Sequence, residues 1–161
     1  MASLPDRRLD ELYDGYAPRL YRYALFLLGD REGAEDAVHE AFYRLARLRG
    51  RAADAVNVAY ATRAIRNECY TMLRRRRRAT ASAEPLLEPA APGVSEEERL
   101  IVEQALRALP AEQRDVVYLK VYAGLSFQEI ASVSDVSINT AASRYRYALA
   151  ALRRILQPAV E

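Results

Sequence analysis

Arg63, Arg66, Asn67 and Tyr70 follow one another at steps of three, one and three residues, and the stretch runs into five consecutive arginines, Arg74 to Arg78. Steps of three and four residues bring side chains onto one face of a helix. Such a face offers guanidinium forks that match phosphate oxygens, an amide that can read a base edge and a ring on which a base can stack. A merely solvated charged face is the plainer reading. Against it, the stripe has almost no local acid to balance it, and like charges this close repel, so nucleic acid is the expected partner. A second polar set, Asn139, Thr140, Ser143, Arg144 and Arg146, follows Ser137 near the C-terminus and can donate to phosphates or base edges.

Catalysis has little to stand on. Cys69 is the one cysteine and His39 the one histidine. No internal disulfide can form, and there is no cluster of soft ligands for zinc. Cys69 reads as a small apolar packing residue. The sequence has no Gly-rich phosphate loop and no nucleophile elbow, so neither an enzyme nor a metal or other cofactor is expected. No apolar stretch approaches the roughly 18 residues of a membrane span, and Met1 to Asp10 is too polar for a secretory signal. We therefore expect a cytoplasmic protein with no membrane insertion.

The net charge of +2 conceals a segregation. Residues 1–80 hold 16 Lys/Arg against 11 Asp/Glu, whereas residues 81–98 hold five Glu and no base. Within the acidic stretch, Pro85, Pro89 and Pro92 interrupt any helical period. Residues 79–96 thus read as a flexible acidic linker between two small helical domains, 1–78 and 97–161, in an all-α fold.

Each half shows helical periodicity. Leu12 to Leu28 places Tyr16, Leu20, Tyr23, Ala24 and Leu27 on one side, and Gly29-Asp30 ends that helix and caps the next. Ala34, Val38, Ala41, Phe42, Leu45 and Leu48 stripe the second helix, whose other face shows Asp36, His39, Glu40, Tyr43 and Arg47. After a loop from Arg49 to Asp54, Val56 to Arg77 forms the third, buried along Val58, Thr62, Ile65, Cys69, Met72 and Leu73. In the second half, Leu100, Ile101, Ala105, Leu106 and Leu109 face inward from one helix, and another runs from Pro110 to Ala123-Gly124. Ser126 and Glu129 form a capping box, Val133 to Val136 a turn, and Ser137 caps a last helix with Ala141, Tyr145, Ala148, Leu149, Leu152, Ile155 and Leu156 inward. A short helix, a turn and a longer second helix is the plan of a DNA-binding helix-turn-helix.

Several words occur together in order: LYDGYAPRLYRYALFLLGDREGAEDAVHEAFYRLARL, ATRAIRNECYTMLRRRRR, ALRALPAEQRDVVYLKVYAGLSFQEIA and INTAASRYRYALAALR. Through them the chain resembles, over nearly its whole length, a bacterial sigma factor of the extracytoplasmic-function (ECF) type. The resemblance implies a sigma domain 2 that docks on core RNA polymerase through Asp36, His39, Glu40 and Tyr43. It implies that Arg63, Arg66, Asn67, Tyr70, Arg74 and Arg75 hold the non-template single strand of the minus-10 element, with the loop Arg49 to Asn57 capturing a flipped base. It implies a sigma domain 4 that grips duplex promoter DNA at minus-35 through Ser137, Asn139, Thr140, Ser143, Arg144 and Arg146. An anti-sigma factor is a further partner that such proteins often have.

The chain departs from the family pattern in places. His39 stands for a usual Gln, Ala46 for a frequent Trp, and VAYAT for a W-L-Y word. Ala142 replaces a typical Lys, Tyr147 a typical Arg, and Asn139 and Asp135 take common Gly positions. The two lost charges weaken phosphate binding. They leave open a second reading, a sigma-like module that binds polymerase or an anti-sigma factor and reads promoters weakly.

Overall fold

In the computed structural model, residues 6–79 and 92–157 are described, and every regular element among them is helical. The sequence linker falls largely on residues 80–91, outside the described residues. Helix α1 (Asp6–Leu28) ends at Gly29, whose φ of 79° only glycine adopts without strain. Asp30 then caps α2 (Arg31–Ala46), its carboxylate accepting the Gly33 N–H at 2.6 Å. Helix α4 (Val58–Ala79) packs across both, and Leu20, Ala24, Ala34, Ala41, Leu45 and Ile65 are fully or almost fully buried where the three meet. The alanines of α2 let the helix axes approach closely. Arg76 ties the far end of α4 to the α1–α2 turn, donating to the Leu28 carbonyl at 2.9 Å and pairing with Asp30. A Cβ at Gly33 would stand 2.6 Å from the Arg76 Nη2, so the bare glycine makes room for that pair.

Two boundaries differ from the sequence reading. α1 starts before Leu12, and residues 50–54, read as loop, form the short helix α3 (Gly50–Asp54). Arg8 explains why that turn closes: its guanidinium donates to the carbonyls of Val56 at 2.9 Å and Asp54 at 3.4 Å.

The second half builds its helices with side-chain caps, of which the sequence reading named those at Ser126 and Ser137. Ser95 and Glu98 form a capping box for α5 (Glu96–Ala108), and Ser126 and Glu129 form one for α7 (Phe127–Ser134). Helix α6 (Ala111–Val117) continues into a π-helical turn at Tyr118–Tyr122. The extra residue in that turn brings both tyrosine rings to Phe26 of α1, at 4.6 and 4.3 Å between centroids. Asp135 takes the left-handed conformation (φ 55°) between α7 and α8 (Ile138–Leu156), and the Ser137 hydroxyl accepts from Thr140 N–H.

The halves share a core. Tyr23, Val58 and Ala59 of the first half are buried with Leu106, Val116, Leu119 and Ile130 of the second. Some residues expected inside are not. Leu100 and Ile101 on α5, and Leu149, Ile155 and Leu156 on α8, are exposed. Ile155 lies two turns beyond buried Ala148 on the same line, so its exposure marks where the packed neighbours stop.

Asp30→Ala removes both a cap and an ion pair, and should destabilise the chain by about 2 kcal/mol in urea denaturation. Asp30→Asn keeps the cap and should cost about half as much.

Candidate nucleic-acid interface

Helix α4 separates its faces as its residue types demand. Val58, Thr62, Ile65 and Cys69 are buried, and the Thr62 hydroxyl satisfies itself by donating to the Val58 carbonyl at 2.6 Å. Burial pushes the Cys69 thiol up to about 12, which removes it as a nucleophile. The opposite face presents Arg63, Asn67, Tyr70, Arg74 and Arg75 to solvent. Arg66 stands between the two, half-buried. Its Nε donates to the Tyr70 hydroxyl at 3.0 Å, with the guanidinium 5.2 Å from the ring centre. Arg74 donates to Thr71 Oγ1 at 3.3 Å. Of the arginine run, Arg76 is spoken for by Asp30, while Arg77 and Arg78 are exposed.

This face is not empty in the folded chain. Arg63 donates to the Ser132 carbonyl, and Arg66 reaches the Val133 carbonyl and the Ser134 hydroxyl, each at 3.5 Å. Those acceptors form the C-terminal end of α7, where unsatisfied carbonyls and the helix dipole favour a cation. Arg66 Nη2 also lies 3.1 Å from Asp115 Oδ2 on α6, and Asp115 Oδ1 accepts the Tyr23 hydroxyl at 2.7 Å. Asp115 is thus a buried carboxylate held by one partner from α1 and one from α4. Burial pushes its carboxyl above the ordinary range, with Arg66 and Tyr23 pulling the other way. Burial likewise pushes the Tyr23 hydroxyl well up, with the Asp115 charge adding to it. The Arg66 guanidinium is disfavoured by its own burial, yet Asp115 together with the Tyr23 and Tyr70 hydroxyls more than restores it.

On α8, Asn139 and Arg146 are exposed, whereas Thr140 and Ser143 are half-buried. Thr140 accepts from Ser137 Oγ at 2.9 Å, and Arg146 donates to Ser143 Oγ at 3.4 Å while lying over the exposed Tyr147 ring. Arg144 turns towards α6, 3.5 Å from Glu112. On α2, Asp36, His39 and Tyr43 are exposed and Glu40 is half-buried, pairing with Arg44 at 3.1 Å. The Tyr43 ring carries Arg47 over it. The three sequence-read sets therefore lie on or at the start of three helices, and among the described residues the α4 set bonds to the other half of the chain. Tyr23 and Asp115 escaped the sequence reading as site residues. The available signal was an acid directly before the apolar Val116-Val117 stretch, but its partner Tyr23 lies 92 residues away. Among the described residues no group of three or more His, Cys, Asp or Glu could hold a metal, and no helix is long and apolar enough to cross a membrane.

Comparison with known proteins gives a consistent likeness. The family model described as Sigma-70 region 2 matches residues 12–79, and that described as Sigma-70, region 4 matches residues 99–152. The ECF RNA polymerase sigma factor SigL of Mycobacterium tuberculosis (strain H37Rv) is 34% identical over 156 residues, covering 91% of this chain and 87% of the relative. SigE of Mycolicibacterium smegmatis is 32% identical over 144 residues, 84% of this chain and 56% of that protein. Among solved structures, the sigma factor RpoE in complex with the anti-sigma factor NepR from Bartonella quintana superposes with a TM-score of 0.73 at 23% identity, over 96% of this chain and 99% of that one. CnrH in complex with the cytosolic domain of CnrY gives a TM-score of 0.68 at 21% identity, over 94% and 88%. At those identities the structures speak to the fold.

Tyr23→Phe keeps the ring in the core and strips one donor from the Asp115 carboxylate. A loss of about 2 kcal/mol in urea denaturation is expected, as for a hydrogen bond to a buried charge.

Proposed function

This chain belongs to the sigma-70 family as an ECF RNA polymerase sigma factor, and from that premise we propose that its three polar faces divide the work of promoter recognition and opening. Residues 1–78 act as sigma domain 2 and residues 97–161 as sigma domain 4, joined by the acidic linker 79–96. Asp36, His39, Glu40 and Tyr43 of α2 dock on core polymerase. Arg63, Arg66, Asn67, Tyr70, Arg74 and Arg75 of α4 hold the non-template strand of the minus-10 element. Ser137, Asn139, Thr140, Ser143, Arg144 and Arg146 of the helix-turn-helix bind the minus-35 duplex. The protein works in the cytoplasm, by binding rather than by catalysis. An anti-sigma factor is a fitting regulator, since RpoE, a structural neighbour, is bound by one.

One observation carries this reading: Arg63, Asn67, Tyr70 and Arg74 share one exposed face of α4 inside the region-2 match. Opening a duplex requires only that the separated strand be bound better than the pair. Arginines neutralise its phosphates, and each base stacked on an aromatic ring contributes roughly 1–3 kcal/mol. No nucleotide hydrolysis is needed for that step.

A second reading, a sigma-like module that binds polymerase or an anti-sigma factor but reads promoters weakly, draws on α8. Ala142 and Tyr147 supply no charge there, and Arg144 is engaged by Glu112. In-vitro transcription with purified core polymerase separates the two. Selective run-off products from promoters of the native genome support the initiator, and polymerase binding without promoter opening sinks it.

Tyr70→Ala should lower open-complex formation roughly tenfold while leaving core binding unchanged, as loss of one stacked base predicts. Arg144→Ala should weaken binding to the minus-35 duplex and reduce its salt dependence by about one phosphate contact.

A further inference from the structure

We propose that α8 reads the minus-35 duplex through methyl groups, with Ile138 and Ala142 covering thymine C5-methyls while the Asn139 amide pairs with the N6 and N7 edge of adenine. The proposal rests on the assignment of α8 to that duplex, and it names what the duplex must contain, which is A·T pairs. The starting observation is Ile138. It opens α8 directly after the Ser137 cap, yet it is 51% exposed. The inward line of the helix is instead Ala141, Tyr145 and Ala148, and the Tyr145 ring meets Phe127 of α7 at 5.5 Å between centroids. An uncovered isoleucine gains only when apolar surface closes over it. The N-terminal end of the second helix is the end that enters a major groove, where the apolar groups on offer are thymine methyls.

Its neighbours complete a surface of one character. Steps of three and four residues set Ala142 beside both Ile138 and Asn139. Ile138 and Ala142 stand about 6 Å apart along the helix axis. Base pairs stack about 3.4 Å apart, so these two side chains span roughly two steps, with Asn139 between them. Asparagine suits adenine and an apolar side chain suits the thymine methyl, whereas guanine is read by arginine or lysine. Arg144 is the one charged residue among positions 138–145, and it is held 3.5 Å from Glu112 of α6. It also lies two residues beyond Ala142, about 200° around the helix and off this surface. Arg146 stands a further turn from the entering end, donating to Ser143 Oγ and lying over Tyr147. The low charge of this face is therefore compatible with sequence selection, because a methyl contact releases no counterion and is indifferent to salt.

Holoenzyme assembled from core polymerase and the full chain should select A·T pairs from promoters randomised over the minus-35 element; selection of G·C pairs there overturns the proposal. Deoxyuridine then replaces each thymine of the selected element in turn, which removes a methyl group and nothing else. At the covered positions holoenzyme binding should fall roughly fourfold per methyl, as burial of one such group predicts, and by the same factor at low and high salt. Ile138→Ala, a change at an exposed side chain, should weaken binding of the methylated element to a similar extent and abolish the deoxyuridine response at its own thymine. Asn139→Ala should relax the choice of adenine. Unchanged binding to every deoxyuridine element overturns methyl reading, and a response that survives Ile138→Ala at every thymine overturns the role given to that side chain. Arg144→Ala separates the two levels of the argument. If it still weakens minus-35 binding, α8 is correctly assigned and only the methyl reading has failed. If neither it nor Ile138→Ala nor Asn139→Ala alters minus-35 binding, or if the holoenzyme selects no minus-35 sequence at all, the assignment of α8 has failed as well.

Discussion

The arrangement of this protein depends on one buried carboxylate. Asp115 is the point where α1, α4 and α6 are joined by polar contacts, through the Tyr23 hydroxyl and the Arg66 guanidinium. Apolar packing beside it brings the halves together without fixing their register, because burial of carbon is nondirectional. The carboxylate adds direction: two acceptors, each with one designated donor, and a penalty if either is missing. An aliphatic substitute at Asp115 would leave the Arg66 charge half-buried and short of a partner, so the three residues stand or fall together.

Arginine serves three ends in this chain, separated by surroundings rather than by residue type. Arg76 and Arg8 are structural, closing carbonyls at the α1–α2 turn and after α3. Arg74, Arg75, Arg77 and Arg78 are exposed and suit phosphate. Arg63 and Arg66 combine the two settings, since they bond to the C-terminal end of α7 and also lie on the polar face of α4. A guanidinium keeps its charge in each setting, which a lysine in a half-buried site would not do as reliably.

What could be read in the sequence was what local chemistry decides. The Ser126–Glu129 capping box, the Ser137 cap and Asp30 before α2 all depend on neighbours within four residues, and each stands as expected. The two faces of α4 were legible for the same reason, because a helical period sorts Ile65 and Cys69 from Asn67 and Tyr70. Contacts that cross the chain were not. Helical spacing makes Arg66 part of the polar stripe, yet it cannot say that Asp115 will meet it. The same limit explains α8, where periodicity marked Leu149, Ile155 and Leu156 as inward but could not show where the neighbouring helices end.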